Sequence, residues 1–380
     1  MAMERIGVGE FLVGQTLRYP VYDDSGNVLL NKGTRIDTHA QLTSLIEQGM
    51  YRSSGGEPVP VDNSTSATQP PESEKTFAFD TLREIANRLP ALFELIIAAK
   101  PDAHGRLKRT AFEIQRVCQS DADMVLATIH LCHDCEYTVY HPMQQAILCE
   151  IVASGMGISA DMRISMISAA LTANISIIEL QETLHSYSGT LSEEQQVAIQ
   201  KHPIESIKIL RAAGVDDPVL INAVLHHHEN INGGGYPQHL DGEKISLAAC
   251  FLAVADRYSA MVSGRSYRGP LSAKDALREF FIQHKGVFHE EIALRCIKEL
   301  GIYPPGSFVK LANGETAVVI QRCSEDSMTP KVSSFMSPTG SLYMNPFSRD
   351  CAESEYAIQE SCLYEGYDKL NCRSLWNFDD

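Results

Sequence analysis

The most unusual stretch of the chain runs from residue 226 to residue 237 and reads HHHENINGGGYP. Three consecutive histidines, His226, His227 and His228, end an apolar pattern of helical spacing, and three glycines follow closely. Because successive side chains on a helix diverge by about 100°, neighbouring imidazoles can share a metal centre only near a helix end beside a flexible loop. The glycines supply such a loop. The segment therefore indicates a metal site, and solvated surface histidines are the alternative.

Three further residues extend this pattern. His141 and His202 each stand immediately before a proline, at points where we expect helices to begin. Asp256 lies in the apolar segment LAACFLAVADRYSAMV, where a buried carboxylate is costly unless it is paired or binds a cation. Taken alone, Asp256 is equally well explained as a hydrogen-bonded carboxylate. Together with histidines on several helices, it favours a metal site.

The apolar spacing predicts the elements that position these residues. Residues 77–302 have helical periodicity, which predicts an all-helical domain. Because proline is favoured in the first turn of a helix, we expect helices to begin at Pro142, Pro203 and Pro218. The predicted fold class is therefore mainly α.

Smaller units are predicted on both sides of the helical domain. Residues 1–52 predict a β-rich or α/β module with a short helix at 40–46. Residues 53–76 contain almost no large apolar side chains, which predicts a disordered linker. Residues 303–380 predict a C-terminal β extension, in which Asn313-Gly314 is a strong hairpin signal.

The order of the motifs resembles that of the HD-GYP family, a branch of the HD superfamily that includes bacterial cyclic di-GMP phosphodiesterases. The family pattern has an HHE motif, a DGxGYP loop, an Asp in an apolar helix and an RPY(R/K) segment. The corresponding stretches here are HHE at 227–229, GGGYP at 233–237, Asp256 and RSYR at 265–268. The resemblance covers about residues 134–300 and implies the helical bundle of that superfamily.

The resemblance also implies two sets of site residues. The implied metal ligands are His141, His202, His227, His228 and Asp256. The implied ligand-binding residues are Gly233, Gly235, Tyr236, Pro237, Arg265 and Arg268. Arginine is suited to bidentate contacts with phosphate, although the two arginines could instead cap a helix end.

The sequence departs from the family where the His-Asp pair should stand. The family segment AALLHDIGK corresponds here to AALTANISI, so that Ala173 and Asn174 replace the pair and Ile177 replaces the lysine. An asparagine oxygen is a poor substitute for the carboxylate that bridges two cations in this family, and alanine offers no ligand. We therefore expect at most one divalent transition metal, Fe, Mn or Zn, held by His202, His227 and His228. His141 and Asp256 alone would make a weak second site.

The leading hypothesis is a degenerate HD-GYP protein in cyclic di-GMP signalling. It would bind the dinucleotide, or a partner such as a diguanylate cyclase (GGDEF) domain, without hydrolysis. The alternative is an active metal-dependent phosphodiesterase that uses one ion or relocated ligands, for which Glu136, Glu150 and Glu179 are candidates.

Composition limits the other function classes. The net charge of −16 over 380 residues argues against nucleic acid and anionic membranes as partners, because both require a basic surface. We expect no stretch long and apolar enough to span a membrane, and hence a cytoplasmic protein. The ten cysteines lack the paired spacing of a disulfide framework or a complete zinc site, so we expect reduced thiols.

Overall fold

The computed structural model describes residues 3–5, 17, 20–22, 28–35, 51–53, 77–132, 135–263, 271–283, 286–364, 366 and 370–378. The chain divides into two compact units, Met1–Ser73 and Glu74–Asp380. The first unit holds a four-stranded antiparallel sheet in the order β1-β4-β2-β3. Its strands are β1 (Met3–Arg5), β2 (Val21–Tyr22), β3 (Val28–Leu30) and β4 (Tyr51–Ser53). The helix expected at 40–46 and residues 54–76 of the expected linker lie outside the described residues.

The second unit is mainly helical, which confirms the predicted fold class. Its first helices are α1 (Ala78–Ile97), α2 (Ala103–Ser120), α3 (Ala122–Leu131), α4 (Tyr137–Gly155), α5 (Ala160–Thr172) and α6 (Ile178–His185). They are followed by α7 (Glu193–Ala212), α8 (Pro218–His226), α9 (Leu247–Val262), α10 (Ala273–Gln283) and α11 (Glu290–Leu300).

The central helix is α4, in which residues 137–153 are all buried. Neighbouring helices, chiefly α5 and α9, pack around it and leave it no solvent face. A helix that is buried on all sides must direct its polar side chains into the protein, where each needs a hydrogen-bond partner. The histidine and glutamines of α4 are therefore interior groups.

Two of the three predicted helix starts are wrong. Pro218 does occupy the first turn of α8, where the Asp217 carboxylate accepts from the backbone N–H groups of Val219 and Leu220. Pro142 and Pro203, in contrast, lie inside α4 and α7. A reciprocal capping box starts α7 ten residues before Pro203, and this upstream cap outweighs the preference of proline for the first turn.

The predicted hairpin at Asn313-Gly314 is present, with Gly314 in the left-handed region at φ +86. It belongs to a five-stranded antiparallel sheet in the order β8-β7-β6-β5-β9. The strands are β5 (Phe308–Leu311), β6 (Thr316–Gln321), β7 (Lys331–Met336), β8 (Leu342–Asp350) and β9 (Ile358–Cys362).

The sheet and the helices share one apolar core, to which Phe308, Val318 and Phe335 contribute. The end of the chain departs from the predicted β extension. Residues Cys372–Leu375 form a short helix, α12, because the Asn371 side chain caps it by accepting from the backbone N–H of Arg373. All ten cysteines are free thiols.

One expectation about apolar segments is also wrong. The helical stretch Ala160–His185 is long and apolar enough to cross a membrane by length and composition. It spans α5, α6 and the 3-10 turn Ile175–Ile177 between them, and no glycine or proline interrupts it. Because 61% of its apolar window is buried inside the domain, packing in the core explains its hydrophobic residues.

Candidate metal centre

Three imidazoles on separate parts of the helical domain meet at one point. His202 comes from the middle of α7, whereas His227 and His228 directly follow the last residue of α8. Each offers one ligand atom, and these atoms all lie within 4.8 Å of one another. The third adjacent histidine, His226, ends α8 outside this group. We call His202, His227 and His228 the three-histidine group.

Backbone carbonyls fix the orientation of two of these rings. His202 Nδ1 lies 2.6 Å from the carbonyl oxygen of Ile199, and His227 Nδ1 lies 2.8 Å from that of Val224. Because a carbonyl oxygen can only accept, each Nδ1 must carry the hydrogen. Each neutral ring therefore presents a lone pair on Nε2.

The proline inside α7 explains why the Ile199 carbonyl is available. A proline has no N–H and cannot bond to the carbonyl four residues earlier, which for Pro203 is that of Ile199. His202 donates to this carbonyl instead. The Val224 carbonyl is available because the last carbonyls of a helix have no partner within the helix. Local backbone structure thus orients the Nε2 atoms of His202 and His227 toward each other.

The two Nε2 atoms face each other at 3.2 Å. Burial, aided by the neighbouring His227, lowers the pKa of His202 to about 3, and burial also lowers the pKa values of His227 and His228. Both Nε2 atoms are then unprotonated acceptors, so no hydrogen bond can join them. Two converging lone pairs and a third imidazole fit a divalent cation, which binds three histidines and keeps a fourth position open.

His141 and Asp256 lie next to this group. His141 Nε2 is 3.2 Å from Asp256 Oδ1, and this contact joins α4 to α9. Burial alone would raise the pKa of the Asp256 carboxyl, but the nearby imidazoles of His141 and His228 lower it below its ordinary value. The structure thus brings together all five implied ligands, three in one group and two in an adjacent pair.

The glycine-rich loop is held against the same group. The Glu229 carboxylate accepts from the backbone N–H groups of Gln238, at 2.6 Å, and Leu240, at 2.9 Å. A Cβ atom on Gly235 would lie 2.4 Å from the His228 carbonyl oxygen, so only glycine fits there. The Tyr236 ring packs against the His228 ring at 4.7 Å between centroids, and Pro237 is half-buried beside it. Gly233 adopts φ +77.

The residues at the expected position of the His-Asp pair are buried. Ala173 is completely buried at the end of α5, and Asn174 is 6% exposed. Ser176, in the turn that follows, donates its hydroxyl to the His202 carbonyl oxygen at 3.0 Å. Ile177 is half-buried. This segment therefore still packs on the backbone that carries His202, although Ala173 and Ile177 bring no polar side chain to it.

The remaining site predictions have different outcomes. Arg265 and Arg268 lie outside the described residues. The Glu150 carboxylate accepts from the guanidinium of Arg163, whereas Glu136 and Glu179 are exposed. None of these three carboxylates joins the three-histidine group, the one metal-ligating cluster among the described residues.

Two residues of the centre were not predicted from the sequence. Gln145 contacts both His141 and Asp256, and its spacing of one helical turn from His141 was the available signal. The second is Arg257, whose charge affects two neighbouring groups. Burial lowers the pKa of His228, and Arg257 lowers it further. Burial raises the pKa of Tyr236, and Arg257 opposes this rise. Its position next to Asp256 in the chain was the signal for it.

Comparison with known proteins identifies the family. The HD domain profile matches residues 93–285. The cyclic di-GMP phosphodiesterase PA4108 of Pseudomonas aeruginosa is 29% identical over 213 residues, covering 56% of this chain and 51% of that protein. The 3'3'-cGAMP-specific phosphodiesterase 1 of Vibrio cholerae is 28% identical over 142 residues, 37% of this chain and 33% of that protein. The chain thus spans about half the length of these curated relatives or less.

A solved structure has the same fold. The chain is similar to Bd1817, a HDG"Y"P protein from Bdellovibrio bacteriovorus, with a TM-score of 0.51 and 17% sequence identity. The similarity covers 78% of this chain and 98% of that one. The profile match over half of the chain, the helical fold and the order of the motifs together show that the chain belongs to the HD domain family, and within it to the HD-GYP branch.

Proposed function

We propose that this protein is a cyclic dinucleotide receptor that binds its ligand at a one-ion centre without hydrolysing it. The observation that carries the proposal is the composition of the three-histidine group, which includes no carboxylate among the described residues. Two-metal hydrolysis of a phosphodiester requires cations roughly 3.5 to 4 Å apart that share a hydroxide. Three neutral imidazoles have no negative charge with which to hold two cations so close together, and the carboxylate of the adjacent pair, Asp256, already accepts from the Gln145 amide.

The same residues support ligand binding. A cation held by the three-histidine group would offer positive charge to a phosphate oxygen at its open position. Arg257 adds a fixed positive charge that is near enough to influence the pKa values of His228 and Tyr236. Gly234 and Tyr236 lie on the loop next to these groups, and Gly234 is exposed. Base stacking on an aromatic ring and phosphate pairing with arginine are the usual means of binding such a ligand.

A second candidate function is the one that the relatives' names carry. The relatives are called cyclic di-GMP and 3'3'-cGAMP-specific phosphodiesterases, so a hydrolase that uses a single ion is the competing hypothesis. A scaffold that binds a diguanylate cyclase domain through the glycine-rich loop is a third. All three make different predictions for nucleotide binding and product formation.

The first prediction concerns binding and turnover. Manganese-loaded protein should bind cyclic di-GMP or 3'3'-cGAMP in isothermal titration calorimetry and leave it intact by chromatography after long incubation. Arg257→Ala should weaken binding about tenfold, since a charge-assisted phosphate contact is worth about 1.5 kcal/mol or more. The matched control is Arg211→Ala, which removes an exposed arginine from the end of α7.

Two results would contradict the proposal in different ways. Release of linear dinucleotide or GMP, lost on His227→Ala, would establish the hydrolase instead. Absence of heat with either nucleotide, with manganese or iron(II), would exclude the receptor and favour the scaffold.

A further inference from the structure

The side chain of Gln145 occupies the space between the two ligands that lie beside the three-histidine group. Gln145 is completely buried in α4, one helical turn after His141. Its Nε2 atom lies 2.8 Å from His141 Nε2 and 2.7 Å from Asp256 Oδ1. These two ligand atoms are themselves 3.2 Å apart. One amide nitrogen thus lies where the lone pairs of both ligands converge.

The hydrogen-bond chemistry fixes which amide atom faces the pair. The Asp256 carboxylate can only accept, so a carbonyl oxygen in the same place would face it lone pair to lone pair. The amide nitrogen carries two hydrogens, one for Asp256 and one for the His141 lone pair. The carbonyl oxygen Oε1 of Gln145 points elsewhere and has no partner among the described residues. The NH₂ group therefore makes the contacts that a cation would otherwise make.

Displacing this group would be costly. A cation bound to His141 and Asp256 would have to expel the amide, which would leave the buried NH₂ without partners in addition to the carbonyl. A buried donor that loses its partners pays the full cost of its desolvation. The pair offers a cation only two protein ligands in return.

We propose that the amide of Gln145 closes the second cation position of this centre, an inference that rests on the one-ion centre of the proposed function. Gln145 acts as a positioning residue. It holds His141 and Asp256 together, and its NH₂ group occupies the lone pairs with which they would bind a cation. Two features then exclude a second ion: the position of Gln145 in α4 and the absence of the His-Asp pair.

Metal stoichiometry tests this inference without nucleotide and without any assay of activity. Protein saturated with manganese and dialysed should contain one ion per chain by mass spectrometry. Gln145→Glu is nearly isosteric and replaces the NH₂ by a carboxylate oxygen, which gives His141 and Asp256 a third ligand. We expect this variant to hold two ions and to show the broadened, exchange-coupled manganese signal in electron paramagnetic resonance.

Two control variants separate the ligand effect from packing. Gln145→Met removes the NH₂ group but fills the same space with an uncharged side chain of similar length, so it should still hold one ion. Asp256→Asn in the Gln145→Glu background removes one of the three ligands and should return the count to one.

The inference is overturned if the wild-type protein holds two ions per chain, or if folded Gln145→Glu holds only one. Should that variant fail to fold, Gln145→Ala decides, because it frees both ligands and should admit a second ion at millimolar manganese; one ion there would also overturn the inference. Failure of cyclic dinucleotide binding would refute the proposed receptor and leave the metal count unaffected, so the two proposals fail separately.

Discussion

Pro203 shows how one residue without an N–H can orient a predicted metal ligand. A proline inside a helix normally destabilises it by about 3 kcal/mol, partly because one carbonyl loses its partner. In α7 that carbonyl, of Ile199, accepts from His202 Nδ1 and sets the tautomer of a buried imidazole. Such partners of a ligand's second nitrogen commonly change metal affinity by 10- to 100-fold when they are altered.

Pro203→Ala should therefore weaken metal binding while leaving the fold at least as stable. The new N–H at position 203 would compete with His202 for the Ile199 carbonyl, and we expect about a tenfold increase in the Kd for manganese. The melting temperature of the metal-free protein should be unchanged or higher. Calorimetric titration with manganese and thermal denaturation measure the two quantities.

Pro218→Ala is the matched control, because Pro218 lies in the first turn of α8, where an N–H has no partner within the helix. It should leave the Kd for manganese unchanged. An unaltered Kd in Pro203→Ala would show that the proline does not orient His202.

The sequence predicted the centre's charged and imidazole groups better than its neutral ones. Consecutive histidines beside glycines, and an aspartate in an apolar segment, are rare enough to indicate a functional site. Gln145 is ordinary in composition, and it matters only because α4 is buried on all sides and α9 brings Asp256 within 2.7 Å. That meeting of two helices, 111 residues apart in the chain, is a tertiary contact that local spacing does not encode.

Among the secondary-structure elements, the turns were easier to predict than the helix boundaries. Asn313-Gly314 specifies its hairpin locally, because glycine accepts the left-handed conformation without strain. Pro142 and Pro203 gave wrong helix starts, and at Pro203 the lost hydrogen bond is compensated by a side chain that only the folded structure reveals. Helix starts therefore depended on caps such as Ser192.

A buried ion pair connects two elements of the C-terminal sheet. Glu315, in the turn before β6, accepts hydrogen bonds from Nε and one Nη of Arg349 and from the hydroxyl of Tyr343, two residues of β8. Burial would raise the pKa of the Glu315 carboxyl, but the hydrogen bonds, chiefly from Arg349, lower it to about 2 from an ordinary value of 4.5. The ion pair thus links the hairpin to β8 across the intervening strand.

This linkage should make the stability of the sheet depend on pH in a defined window. Because the pKa is lowered on folding, the stabilisation is complete above pH 4.5 and is lost as the pH falls toward 2. Glu315→Gln should lower the free energy of unfolding by about 2 kcal/mol at pH 7, and the difference from wild type should shrink between pH 4.5 and 3. Urea denaturation measures both. The exposed Glu360→Gln is the control, and a difference independent of pH would contradict the assignment.

At the scale of the whole molecule, the fold is shared with a protein of low sequence identity. The chain has the fold of Bd1817 over 78% of its length at only 17% identity. Ala173 and Asn174, where the sequence resemblance expects the His-Asp pair, are buried at the end of α5. A single ion would join the middle of α7 to the segment after α8, elements that otherwise meet through side-chain packing.

The last prediction follows from this connection. A ligand that binds only the folded state stabilises it by about 2.7 kcal/mol at 100 times its Kd, and for a domain of this size that corresponds to a rise in Tm of roughly 5 °C. We expect manganese to produce this rise in thermal denaturation and a chelator to reverse it. His202→Asn should abolish it by removing one of three ligands, whereas His104→Asn, on α2 outside the centre, should retain it. An equal rise in both variants would place the stabilising ion elsewhere, because loss of a ligand from a three-histidine site cannot leave its binding free energy unchanged.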